Sequence, residues 1–361
     1  MPDRPAPIVL IGAGGIVRSA HLPAYRNAGF PVAGVYDLRP DAAFRLAADF
    51  GIPRVYATLA EAVREPGAVF DVAVPAEAAL GIVTALPPRA AVLLQKPLGR
   101  DLAEARRIVQ AAEARGLLAA VNLQLRFAPN LLALRRLLDD GTLGAVRDVE
   151  VRVVTHTPWQ RWAFLRGIPR LEIVYHSIHY LDLLRGWFGL PEAVHAVLTR
   201  HREGYADTAS TTLLRYGPRA PGAPAAAVAL DPRGARVLVH TCHDHAYGPR
   251  HASSALRVEG SEGCAVATLG VNLDYPQGVP DRLEYCLRGG SWQDVPLRGS
   301  WFPDAFEGPM ANLQRCREGS DPAPVCGVRD ALATMALVEA AYRASEAPGV
   351  PVPDPSSPIP P

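Results

Sequence analysis

One lysine stands among 37 basic residues: it is Lys96, and every other basic position is arginine. So strong a preference leaves lysine only where arginine could not replace it. A guanidinium stays protonated, whereas an ammonium is compact and can release its proton. Lys96 is therefore the first candidate for acid–base chemistry. A second constellation is Gly12-Ala13-Gly14-Gly15-Ile16, which follows the apolar run Ile8–Ile11 and opens a helical stretch. In that setting Gly12 allows a tight turn and Gly14 lets the backbone approach a pyrophosphate, while the helix N-terminus offers free N–H groups to the phosphates. Val17 occupies the third motif position in place of Gly or Ala, which sets helix and strand slightly farther apart. Asp37 ends the second strand, where its carboxylate can accept hydrogen bonds from an adenosine ribose and would repel a 2′-phosphate. NAD is the expected cofactor, and Arg39, two residues on, keeps NADP open. Gly15, Ile16, Val74, Pro75, Gln95 and Lys96 complete the expected cofactor contacts.

The histidines offer a third possibility, a metal. Their only dense cluster is His240, Cys242, His243, Asp244 and His245. Alternation along a strand would put His243 and His245 on one face, with Cys242 and Asp244 on the other. No further ligand group sits at a recognised spacing, so no metal site is expected.

The elements that must position these groups follow from the hydrophobic pattern. Strands are predicted at 8–11, 32–36, 69–74, 91–94 and 118–122, alternating with helices. One of those helices opens at Asp101, with Glu104 three residues on in the manner of a capping box. Strand–helix alternation implies a doubly wound parallel sheet. After Phe127 the rhythm changes. A helix near 130–139 leads to a strand at 146–155 in which Val149, Val151 and Val153 share a face. The stretch 171–188 reads as helix. Strand-like runs then follow at 193–200, 210–216, 225–230, 236–242, 255–259 and 264–269. Joined by turns, they imply an antiparallel sheet. Helices near 304–319 and 328–345 end the fold. The expected division is a Rossmann domain at 1–124, an α+β substrate and oligomerisation domain at 125–347, and a Pro-rich disordered tail at 348–361.

Composition narrows the function classes. The formal net charge of +1 suggests neither nucleic acid nor an acidic membrane as partner. No apolar run approaches the roughly 20 residues needed to cross a bilayer. The start, Met-Pro-Asp-Arg-Pro, lacks the apolar segment of a secretory signal. A cytoplasmic location is expected. The five cysteines are scattered and odd in number, as for free thiols in a reducing compartment.

At Gln95-Lys96-Pro97-Leu98-Gly99 the chain resembles the Gfo/Idh/MocA oxidoreductases. The glycine motif with Ala20-His-Leu-Pro-Ala, then Asp37, Arg126-Phe-Ala-Pro, Gly141-Thr-Leu-Gly and His179-Tyr-Leu-Asp182 continue the likeness in family order over nearly the whole chain. The resemblance implies a Rossmann domain joined to a C-terminal domain with a large, open, mostly antiparallel sheet. By analogy with the family, a homodimer or homotetramer is expected.

The resemblance also implies roles. The family's lysine in Glu-Lys-Pro reaches the substrate oxygen beside the nicotinamide, which adds to the case for Lys96. Gln95 replaces the family's glutamate, removing a carboxylate that would hold the ammonium charged and so lowering its pKa. Pro97 is a candidate for a cis peptide. The family pairs a histidine with an aspartate four residues earlier; here His179 has Tyr175 at that place. Lys96, His179 and Tyr175 are thus the catalytic candidates. His176, one residue along the helix, is expected to project elsewhere. Arg126, Trp162 and His176 are the substrate-side candidates, with Trp159, Arg161 and Arg166 nearby. The expected activity is interconversion of a secondary alcohol and a ketone on a sugar, cyclitol or related polyol. Two alternatives stay open: a redox-neutral NAD-dependent lyase, hydrolase or epimerase, and a non-catalytic nucleotide-binding regulator.

Overall fold

The computed structural model describes residues 1–217, 228–275, 277–347 and 349–350. Short apolar runs form the strands Ile8–Ile11 (β1), Val32–Tyr36 (β2), Val69–Val72 (β3), Ala91–Leu94 (β4) and Leu118–Val121 (β5). Every residue of β1, β3 and β4 is buried, as strands covered on both faces must be. All pairings are parallel, in the order β2-β1-β3-β4-β5. The order reverses between β1 and β3, and such a switch point opens a crevice at the C-terminal strand ends. The helices Leu22–Ala28 (α1), Pro40–Phe50 (α2), Leu59–Ala62 (α3), Ala76–Ala85 (α4) and Leu102–Ala114 (α5) supply the connections. At the start of α5 the Asp101 carboxylate accepts the Glu104 N–H, while the Glu104 side chain turns to Arg100. The cap at Asp101 is real, but the reciprocal half of the box is spent on an ion pair.

The second sheet follows the helix Pro129–Asp139 (α6). Its strands are Val146–Val154 (β6), Ala193–Thr199 (β7), Ala209–Tyr216 (β8), Ala235–Cys242 (β9), Ser253–Gly260 (β10), Gly263–Thr268 (β11), Arg282–Leu287 (β12) and Gln293–Asp294 (β13). Between β6 and β7 lies the helix Ile178–Phe188 (α7), and Glu307–Glu318 (α8) and Val328–Glu346 (α9) close the chain. The strand order is β13-β12-β11-β10-β6-β9-β8-β7, antiparallel except for the parallel pair β6–β9. Val149, Val151 and Val153 are buried beside Val237, Val239, Leu256 and Val258, in one cluster with Tyr180, Leu181 and Leu184 of α7. The strands β12 and β13 were not legible from the sequence, because Arg282, Glu284 and Asp294 break their apolar pattern.

Three further differences matter. The stretch predicted as one helix over 171–188 opens as a π-helical segment, Ile173–Ser177, before α7 begins. The helix α8, expected with the second domain, packs Met310 and Leu313 into the core around Ile8, Leu10 and Leu93 of the first sheet. Residues 225–227 of the strand predicted at 225–230 lie outside the described residues, and Leu230 bridges Val146. The predicted tail at 348–361 also lies outside them, apart from Gly349 and Val350. No described helix is long and apolar enough to cross a membrane. All five cysteines are free thiols.

Candidate active site

The glycine loop sits between β1 and the helical stretch beginning at Gly15, at the strand-order reversal. Gly12 is buried at φ +112°, and a Cβ there would stand 2.3 Å from the Ala73 carbonyl oxygen. Only glycine fits. Around Gly14 and Gly15 no atom lies within 4 Å of where a Cβ would be, so the loop faces open room. Asp37 turns its Oδ2 to the Ala13 N–H at 2.8 Å and its Oδ1 to the Arg39 N–H at 2.8 Å. These bonds hold the carboxylate at the loop with lone pairs to spare. Arg39 is exposed, its guanidinium 3.6 Å from Asp37. Ile16 is half-buried, Val17 fully buried, and the helix widens over Val17–His21 into a π turn. Val74 and Pro75 form the edge after β3, and Pro75 precedes α4. Open room beside a glycine loop, a carboxylate fixed at the next strand end and a helix N-terminus fit a dinucleotide.

Lys96 follows β4, and the Lys96–Pro97 peptide is cis. Gln95 accepts the Lys96 N–H at 2.8 Å, and its amide nitrogen lies 3.3 Å from His21 Nε2. The Asn122 amide lies 3.2 Å from the same nitrogen, and His21 Nδ1 lies 2.7 Å from Asp71 Oδ2. This buried chain beneath Lys96 escaped sequence reasoning, because its members come from separate elements. Burial pulls the Lys96 amine down to about 8. The direction agrees with the expectation from Gln95, but the cause is burial. Gln95 bonds the backbone, not the ammonium.

The π-helical segment rearranges the other candidates. Its i→i+5 turn breaks the 3.6-residue spacing that would stack Tyr175 on His179. Lys96 Nζ donates to the Tyr175 backbone carbonyl at 2.6 Å. The charged neighbours of the Tyr175 phenol are Glu77, Arg100 and Glu104, and burial above all pushes it up to about 12. His176, expected to project elsewhere, instead joins Lys96 and His179. Burial first, then the neighbouring charges, hold both histidines well below the usual range. His179 is buried, and its Nδ1 has no hydrogen-bond partner. A neutral imidazole with a free ring nitrogen beside a depressed amine is a donor–acceptor pair suited to one substrate oxygen.

The substrate-side candidates divide. Arg126 is corrected: its guanidinium donates to Asp182 twice at 2.6 Å and to Asp330 at 2.9 Å, which leaves little for a ligand. Arg185 joins the same group through Asp330 at 2.6 Å. Trp162 is half-buried, its ring 5.4 Å from Tyr275, and Arg161 stands over Tyr275. Trp159 is buried with its edge on His243, whereas Arg166 is exposed. The histidine cluster does not alternate, because β9 ends at Cys242. His243 is buried against Glu172, whereas His245 bonds the Gly248 carbonyl near the surface.

Residues 7–123 match the family model GFO_IDH_MocA, described as oxidoreductase family, NAD-binding Rossmann fold. Residues 131–266 match the GFO/IDH/MocA C-terminal domain. The chain is 28% identical to D-apiose dehydrogenase of Paraburkholderia graminis, over 92% of this chain and 86% of that protein. It is 31% identical to trans-1,2-dihydrobenzene-1,2-diol dehydrogenase of Bos taurus, over 46% of this chain and 50% of that one. A crystal structure of an oxidoreductase from Agrobacterium radiobacter, in complex with NAD+, L-tartaric acid and magnesium, superposes with a TM-score of 0.76 at 21% identity, over 95% of this chain and 97% of that one.

Proposed function

Because this chain belongs to the Gfo/Idh/MocA family of NAD-binding oxidoreductases, we propose that it interconverts a secondary alcohol and a ketone on a sugar, cyclitol or related polyol. The names of two relatives, a sugar dehydrogenase and a dihydrodiol dehydrogenase, support hydroxylated carbon as the target. The observation that carries the reading is Lys96, the single lysine of the chain, half-buried near His179, whose Nδ1 has no hydrogen-bond partner.

When bound, the nicotinamide exchanges a hydride with the substrate carbon. The residues of the chain do the rest. Gly12, Gly14 and the N-terminus of the first helix hold the pyrophosphate, and Asp37 takes the adenosine ribose. In oxidation the neutral Lys96 amine accepts the hydroxyl proton, and in reduction the ammonium returns it. His179 orients the same oxygen through its free ring nitrogen. The Tyr175 carbonyl fixes the Lys96 amine at 2.6 Å, which keeps it aimed. Trp162 and Tyr275 form an aromatic wall suited to the apolar face of a sugar ring.

A panel of sugars and inositols, assayed for reduced-nicotinamide absorbance with NAD, tests the reading. Turnover of a polyol supports it. Nucleotide binding without turnover of any polyol overturns it in favour of a regulator.

A further inference from the structure

Glu172, His176 and His243 bring one carboxylate oxygen and two imidazole nitrogens within 4.8 Å of one another. Glu172 immediately precedes the π-helical segment, His176 lies on it, and His243 follows β9. Glu172 and His243 are fully buried. From Glu172 Oε1, His243 Nε2 lies at 3.3 Å and His176 Nδ1 at 3.7 Å. A tetrahedral zinc ion with bonds near 2.0–2.1 Å separates its ligand atoms by about 3.4 Å. The two separations from Glu172 are already close to that spacing.

The surroundings match as well. His176 Nδ1 is buried and has no hydrogen-bond partner, so it is free to take a ligand. His243 Nδ1 is held by Thr157 Oγ1 at 2.7 Å. Ligating histidines are oriented in this way, the far ring nitrogen donating to an oxygen. Ser210 donates to the second oxygen of Glu172 at 2.5 Å, and Ser177 to the first at 2.7 Å. Among the described residues no arginine or lysine pairs with this buried carboxylate; the basic side chains within 4 Å of it are the two histidines. A buried charge needs a compensating cation.

The geometry points to a binding site for one zinc-class divalent cation on Glu172, His176 and His243, its fourth position open to water or a substrate oxygen. Three protein ligands with one position free is the coordination of a zinc site that can take an exogenous ligand. None of its ligands lies on the glycine loop or at Asp37, and His176 also adjoins Lys96 and His179.

The full-length chain, purified without chelator from zinc-supplemented medium, is measured by inductively coupled plasma mass spectrometry. About one zinc per chain is expected, with Glu172→Gln abolishing it and Thr157→Val weakening affinity roughly 10–100-fold. Cobalt(II) alone, added to the chelator-stripped native chain, should give the visible absorption of a four-coordinate nitrogen–oxygen site. This measurement stands even where Glu172→Gln does not fold. A native chain that holds no zinc and gives no such absorption with cobalt overturns the proposal. So does zinc binding that Thr157→Val and a folded Glu172→Gln both leave unchanged.

Discussion

The side-chain amine of Lys96 donates to the backbone carbonyl of Tyr175 at 2.6 Å, across 79 residues of sequence. The contact ties the strand end that carries the lysine to the π-helical segment at the mouth of α7. A main-chain oxygen makes it, so the side chain at position 175 is not needed for it. This relationship separates the two roles that a Tyr–Lys pairing would have merged.

Tyr175→Phe should therefore leave turnover within a few-fold of native, because the carbonyl and the ring remain. His179→Ala should be severe, with a loss of about 100-fold or more, because it removes the ring that orients the reacting oxygen against Lys96. Steady-state kinetics on both variants decide it. A Tyr175→Phe loss as large as that of His179→Ala would return the phenol to the mechanism.

Lys96→Arg should keep the fold and nucleotide affinity while turnover falls by about 100-fold or more. The guanidinium does not release its proton. Cofactor fluorescence titration beside turnover separates binding from chemistry. Retention of more than about a tenth of native activity would remove Lys96 from the proton path.

Because burial pulls the Lys96 amine down to about 8, the neutral, proton-accepting form gains over the ammonium as pH rises through that value. Alcohol oxidation should climb across that range, and ketone reduction should decline across it. Initial rates in both directions from pH 6 to 10 check the sign (roughly two units either side of the midpoint). Parallel slopes would contradict the assignment.

NAD should bind more tightly than NADP, since the Asp37 carboxylate would face a 2′-phosphate. Asp37→Ser should narrow that gap by at least about tenfold, ~1.4 kcal/mol. Calorimetric titration with both nucleotides measures it. Tighter NADP binding by the native chain would reverse the preference.

Arg126→Ala should act on stability. It removes the nearer guanidinium from Asp182, which is 1% exposed and retains Arg185 at 3.4 Å and the Thr334 hydroxyl at 2.7 Å, so the cost should stay below the about 3–5 kcal/mol of a buried charge left with no partner. The melting temperature should fall by several degrees. A variant as stable as the native chain but with a raised KM would restore Arg126 to the substrate.

The sequence by itself determined the parallel sheet, the glycine loop and Asp37 at its strand end, and it singled out Lys96. Each follows from local information. Buried strands such as Ile8–Ile11 appear as unbroken apolar runs, Gly12 answers a backbone conformation, and a lone lysine marks itself among arginines. Asp37 needed only its distance from the loop. The tertiary structure decided what depends on partners distant in sequence. Arg126 looked free until Asp182 and Asp330 were brought to its guanidinium. His176 was assigned to the wrong side because the 3.6-residue period assumes an α-helix, and the i→i+5 turn at Ile173–Ser177 is not encoded by any hydrophobic period. Glu172 and His243 lie 71 residues apart and meet only because β9 ends at Cys242 and delivers His243 beneath the helix. Periodicity and turn chemistry act over a few residues and can be read along a chain. The partner of a buried polar side chain is set by which elements pack together, and only the folded chain supplies that.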